Sequence, residues 1–169
     1  MIEALTSRAA ASNQIDFEAL IGPLVEPGIR LAYSMLGNRE EAEDATQEAV
    51  TRAWRSLSTL RDRALARPWF LAIVANHCRN VRRTRWFKTI RLPSFLMESR
   101  TRSEVERVDL ARGLARLPAN DRQALFMHFY LDLPIDETAL ALGVSVAAAK
   151  RRIYRACRRL RSDVREEDV

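Results

Sequence analysis

The stretch "DETALALGVSVAAAKRRIYRACRRLR", residues 136–161, decides how the C-terminal half folds. "DETALAL" has helical spacing, Gly143 can supply a left-handed turn, and Ser145 can cap a second helix. A short helix, a glycine-containing turn and a second helix make a helix-turn-helix. On the second helix Val146, Ala149, Ile153, Ala156, Cys157 and Leu160 share one side. Arg151, Arg152, Arg155, Arg158 and Arg159 spread over the other, with Ala147 and Ala148 at its N-terminal tip. Seven of the twelve side chains from Lys150 to Arg161 are basic, and no acid follows until Asp163, which is unlike an ordinary solvated face. A recognition helix contacts bases chiefly through its N-terminal residues. The small tip allows close approach to the groove floor, and an alanine methyl can meet a thymine methyl. Lys150 and the arginines suit phosphates, and Arg151 suits a guanine.

Charge along the rest of the chain alternates. Residues 1–60 carry net −4, 61–104 net +8, 105–142 net −2 and 143–169 net +4, which gives the total of +6. Two separate basic surfaces favour a polyanionic partner. Five glycines and six prolines in 169 residues allow long helices and disfavour a many-stranded sheet. No apolar run is long enough to cross a membrane, and "MIEALTSRAAASNQ" has neither a basic n-region nor an apolar h-region. Cys78 and Cys157 make neither a disulfide framework nor a zinc site. A reducing cytoplasm is the expected setting, without membrane insertion.

In the N-terminal half, "NREEAEDATQEAVTRAWRSL" predicts a helix capped by Asn38, with acids in its first turns. Ala42, Ala45, Thr46, Ala49, Val50, Ala53, Trp54 and Leu57 should face a core. Asp44, Gln47, Glu48, Thr51 and Arg55 then fall on the opposite side. Before it, Gly22-Pro23 and Pro27-Gly28 predict a broken helix that resumes near Ile29–Leu36. After it, "RPWFLAIVANHCRNVRRTRW" predicts a helix with Pro68 in its first turn. Trp69, Phe70, Ile73, Val74, His77 and Val81 mark its apolar side, and its end is basic. Periodicity fails from Phe87 to Ser103 around Pro93, although Phe95, Leu96 and Met97 could dock. Helices then follow in "VERVDLARGLARL" and in "NDRQALFMHFYLDL", the latter with Asn120 as cap.

The stretches "EEAEDATQEAVTRAW" and "LP…R…LGVS…KRRIYRACRRLR", in this order and with a short linker between, carry a family resemblance. The first half resembles region 2, and the second region 4, of bacterial sigma factors of the extracytoplasmic-function (ECF, group 4) type in the sigma-70 family. The resemblance covers about residues 16–161. It implies an all-α fold of two small helical domains joined by a flexible linker. Residues 1–13 form a tail, 14–86 the region 2-like bundle, 87–103 the linker, 104–163 the region 4-like helix-turn-helix and 164–169 an acidic tail. It implies an alternative sigma factor without an active site, metal or cofactor. Its partners are core RNA polymerase (the β′ clamp helices and the β flap), promoter DNA and an anti-sigma factor, with nucleoid association when active. Asp44, Gln47, Glu48, Thr51 and Arg55 would meet polymerase. Arg61, Arg63, Asn76, Arg79, Asn80, Arg82 and Arg83 would meet −10 DNA, where holding an extruded base must offset a few kcal/mol of unstacking. Ser145, Ala147, Ala148, Lys150, Arg151, Arg152, Arg155 and Arg158 would meet −35 DNA. The chain departs from the family pattern at Gly22-Pro23. Ala66 replaces a frequent aromatic, Ala72 and Ala75 common basic residues, Thr138 an isoleucine and Ala147–Ala149 a more polar tip.

Two other functions compete. A dimeric helix-turn-helix regulator would bind half-sites about one helical turn apart, but the chain has no apolar stripe beyond its two cores. An enzyme using His77 and Cys78 needs both groups to converge. Sequence neighbours on a helix point about 100° apart, and no orienting acid accompanies them. His128, among Phe126, Met127 and Phe129, is expected to be structural.

Overall fold

The computed structural model describes residues 2–84, 110, 112–114 and 116–166. The linker at 87–103 and the acidic tail beyond 166 fall outside the described residues, as do Arg85, Trp86 and most of the expected "VERVDLARGLARL" helix. Six α-helices are described by range. They are α1 (Ile2–Leu36), α2 (Arg39–Ser56), α3 (Ala66–Thr84), α4 (Ala119–Leu125), α5 (Ile135–Leu142) and α6 (Val146–Glu166). No strand occurs among the described residues, in line with the all-α expectation.

The expected break in the first segment is absent. α1 runs without interruption through Pro23 and Pro27, and helix also occupies the segment read as a tail. Each proline removes one backbone donor and crowds the turn before it, at roughly 3 kcal/mol or more. Burial on both sides of the pair offsets that cost. Phe17 and Ile21 precede the prolines, Leu31, Ala32 and Met35 follow them, and all are buried. Apolar side chains of this size contribute about 1.5–3 kcal/mol each when fully buried. Gly28 has a separate reason. A Cβ there would stand 3.0 Å from Phe70 Cε1 and 3.1 Å from Thr46 Cγ2. The missing side chain therefore lets α1 lie against both α2 and α3.

α2 begins as expected, with the Glu41 amide donating to Asn38 Oδ1 at 3.0 Å. Ala42, Ala45, Thr46, Ala49 and Ala53 are buried. Trp54, expected in the core, is 45% exposed and packs edge-on against Phe17 at 5.0 Å. Its indole is too large for a seam lined by alanines. α3 buries Phe70, Leu71, Val74, Ala75 and Cys78, which is a wider stripe than the expected one because α3 packs on α5 as well as on α1 and α2. Ala75 and Ala66 are therefore interior positions.

In the second half α4 starts behind Pro118, and no side chain caps it. Asn120, expected as the cap, lies inside the helix. The helix widens into a π turn at Phe126–Tyr130, which closes with the Leu131 amide on the Phe126 carbonyl. Asp132 then takes a left-handed conformation (φ 48°), which aspartate tolerates better than most residues. His128 Nδ1 lies 2.7 Å from the Leu133 carbonyl, the structural part expected of it. The two modules share a continuous apolar core in which Leu131 and Leu133 join residues of α1, α2 and α3. Among the polar contacts across the seam, the Arg67 guanidinium donates to the Leu131 carbonyl.

Candidate nucleic-acid interface

α6 is positioned by its turn. Gly143 adopts φ 66°, ψ 39° and closes α5, with its own N–H and that of Val144 returning to Leu140 and Ala139. Ser145 Oγ accepts the Ala148 amide at 3.2 Å, so the expected cap is present. Thr138 fills the position between the two helices. It is fully buried and its hydroxyl donates to the Leu133 carbonyl at 3.3 Å, which accounts for a polar residue there. Ala149, Ile153 and Ala156 are buried, while Cys157 and Leu160 are half-buried.

Outward, Ser145, Ala147, Lys150, Arg151, Arg155 and Arg158 are exposed, and Ala148 and Arg152 are half-buried. The face includes two apolar side chains that the sequence reading did not assign to it: Val146, 52% exposed, and Tyr154, 64% exposed. Lys150 Nζ sits 5.8 Å from the Tyr154 ring centroid, within cation–π range. The spacing of 150 and 154, one helical turn, was the available signal. Arg155 differs from its neighbours because both arms of its guanidinium fasten to Asp121, at 2.8 and 2.6 Å. Arg159 approaches the same carboxylate at 3.8 Å. Arg155 in this state anchors α6 to α4 and is not a free reader of bases.

The second basic surface lies on α3 and the loop before it. That loop contains two 3₁₀ turns, Leu57–Thr59 and Arg63–Leu65. Asp62 Oδ1 caps the second by accepting the Ala64 amide at 2.9 Å. Arg61 and Arg63 are exposed, and Arg63 pairs with Asp16 of α1 at 3.2 Å. Asn76 and Asn80 are exposed on α3, and Asn76 Oδ1 accepts from Arg79. Arg79 and Arg82 are only half-exposed, because both line a cleft against α4. Burial lowers the Arg79 pKa, and the Arg152 charge adds to that. The side chain of Arg83 lies outside the described residues.

α2 presents Asp44, Gln47 and Arg55 to solvent, with Glu48 and Thr51 half-buried. The five share one face, as the periodicity predicts. The Thr51 hydroxyl returns to the Gln47 carbonyl at 3.2 Å. Arg52 donates to Glu48 at 3.0 Å, and this hydrogen bond holds the Glu48 carboxyl below its usual range.

His77 and Cys78 do not form a reactive pair. Cys78 is fully buried, and burial pushes its thiol up to about 12, the opposite of an activated nucleophile. Burial also pushes the His77 imidazole down. No group of three or more His, Cys, Asp or Glu among the described residues could hold a metal ion. No helix there is long and apolar enough to cross a membrane.

Comparison with known proteins matches both halves. Residues 22–88 match the model of "Sigma-70 region 2", and residues 107–160 match "Sigma-70, region 4". The chain is 31% identical to a probable RNA polymerase sigma-C factor of Mycobacterium bovis, over 99% of this chain and 94% of that one. It is 28% identical to RNA polymerase sigma factor SigV of Bacillus subtilis, over 83% and 86%. Among solved structures, the sigma factor RpoE in complex with the anti-sigma factor NepR from Bartonella quintana shares the fold. Its TM-score is 0.71 at 18% identity, covering 89% of this chain and 97% of that one. CnrH in complex with the cytosolic domain of CnrY gives 0.69 at 24% identity, covering 98% and 97%.

Proposed function

Since the chain belongs to the sigma-70 family, as an ECF-type alternative sigma factor directing promoter-specific initiation by RNA polymerase, we propose how its surfaces divide that work. The observation that carries the reading is the order of surfaces: an acidic and polar face on α2, a basic α3, and a separate basic α6. Asp44, Gln47, Glu48, Thr51 and Arg55 meet the β′ clamp helices of core polymerase, and the second module meets the β flap. Exposure of the Asp44 and Gln47 side chains supports their placement.

Arg61, Arg63, Asn76 and Asn80 receive −10 DNA, with Arg79, Arg82 and Arg83 along the backbone path. The tip of α6 enters the −35 major groove. Ser145, Ala147 and Ala148 approach the bases, Lys150, Arg152 and Arg158 hold phosphates, and Arg151 reads a base. Val146 and Tyr154 add apolar contact. Arg155 supports the helix from Asp121 and reaches DNA only through its exposed edge. The chain works in the cytoplasm, with the nucleoid, and an anti-sigma factor restrains it. No step of bond chemistry falls to it, because the polymerase carries the catalysis.

Run-off transcription on pooled genomic fragments with purified core polymerase tests this division. Promoter-selective transcripts are expected only when the chain is added. A chain that transcribes normally after Asp44, Gln47 and Glu48 are all replaced would overturn the polymerase assignment.

A further inference from the structure

The outward face of α6 lacks two of the side-chain classes that identify bases. From Gly143 to Ser162 the chain has no Asp, Glu, Asn or Gln. Those side chains accept from the cytosine amino group or grip adenine with paired hydrogen bonds. Arginine and lysine remain for guanine, and methyl groups remain for thymine. The structure sorts these along the helix. At the tip, Ser145 turns its hydroxyl oxygen back onto the Ala148 amide at 3.2 Å. Val146, 52% exposed, and Ala147 then face outward, while Ala148 is half-buried and Ala149 buried. Lys150 Nζ lies 5.8 Å from the centroid of the Tyr154 ring, one turn further from the tip. Arg151 is the first forked cation, and Arg155 is committed to Asp121. The tip therefore offers methyl groups ahead of its first arginine.

An apolar surface laid against a base edge displaces water without replacing the lost hydrogen bonds. It favours the edge feature that has none to lose, and in the major groove that feature is the C5-methyl group of a pyrimidine. Thymine carries this methyl, and so does a cytosine methylated at C5. Neither Val146 nor Ala147 has a side-chain donor or acceptor to tell the O4 oxygen of the one from the amino group of the other.

We propose that Val146 and Ala147 read the C5-methyl group itself, so that the −35 position under the helix tip accepts thymine or 5-methylcytosine and rejects cytosine. The assignment rests on the placement of α6 in the −35 major groove. It makes initiation sensitive to cytosine-5 methylation wherever a C·G pair occupies that position.

The test uses the full chain assembled with core polymerase. This holoenzyme first selects a −35 element from duplexes randomised in that region. Each thymine of the selected element is then replaced in turn by deoxyuridine, which lacks only the methyl, and affinities are measured by titration at a fixed salt concentration. At one position the replacement should weaken binding by about fourfold, the worth of one buried methyl-sized group. A C·G pair there should bind as weakly as deoxyuridine or worse, and a 5-methylcytosine·G pair should recover most of the loss. Val146→Ser should lose this sensitivity while circular dichroism shows native helix content. If it does not fold, Ala147→Ser takes its place. Three results overturn the methyl reading with α6 still in its groove: no thymine that responds to deoxyuridine, 5-methylcytosine binding no better than cytosine, or an unchanged methyl effect in a folded tip variant. Absence of any preference in the −35 region overturns the placement of α6, and the methyl reading with it.

Discussion

Arg155 grips Asp121 with both arms of its guanidinium, and the Asp121 side chain is only 2% exposed. This pair joins α4 to the helix assigned to DNA. Its Arg155 hydrogen bond holds the Asp121 carboxyl below its usual range, against the opposing effect of burial. Because the folded pKa is depressed, the stabilisation is present above the unfolded value, near 3.8, and is lost as pH falls through the folded value. Asp121→Ala should destabilise the module by about 1–3 kcal/mol near neutral pH. The difference from the native chain should vanish in strong acid. Denaturant unfolding at a series of pH values reads both effects.

Asp44→Arg should abolish binding to core polymerase without disturbing the fold, because the side chain is exposed on α2. Co-purification with core polymerase measures the first, and circular dichroism the second. A variant that still co-purifies would move the interface to another face.

Arg151→Ala separates base reading from phosphate holding. If Arg151 reads a guanine, the loss is about 1–3 kcal/mol and confined to sequences carrying that base. If it holds a phosphate, binding weakens on all sequences alike and the salt dependence falls by about one ion. Binding titrations against a promoter and its single-base variants, at two salt concentrations, distinguish the outcomes.

Two glycines of α1 should respond in opposite directions. Gly22→Ala meets open space and should gain about 0.5–1 kcal/mol from helix propensity. Gly28→Ala would push its methyl against Phe70 and Thr46, and overpacking of about 1–3 kcal/mol should outweigh that gain. Thermal melts of the two variants are the measurement.

The helix-turn-helix was legible because each signal is local. Gly143 alone provides the left-handed turn, Ser145 alone the cap, and helical spacing the buried face of α6. The α2 face was legible for the same reason. What the sequence hid depends on partners far along the chain. Pro23 and Pro27 signal a break until Phe17, Ile21, Leu31 and Met35 are seen to bury on both sides. Trp54 looks like core until its seam turns out to be lined with alanines. Arg155 looks like any other basic side chain of α6, since nothing near it in sequence points to Asp121. Arg79 and Arg82 read as an open basic surface, and only the docking of α4 reveals their second environment.

The Arg67 tie across the seam ends on a main-chain oxygen, that of Leu131. Every amino acid carries that acceptor, so substitution at position 131 can alter the apolar packing but cannot delete the tie by chemistry alone. Position 67 has no such latitude, since a shorter or uncharged side chain would lose the reach or the donor. Drift in this one tie should therefore accumulate on one partner: its donor is heritable through a single codon, while its acceptor comes with the peptide chain itself.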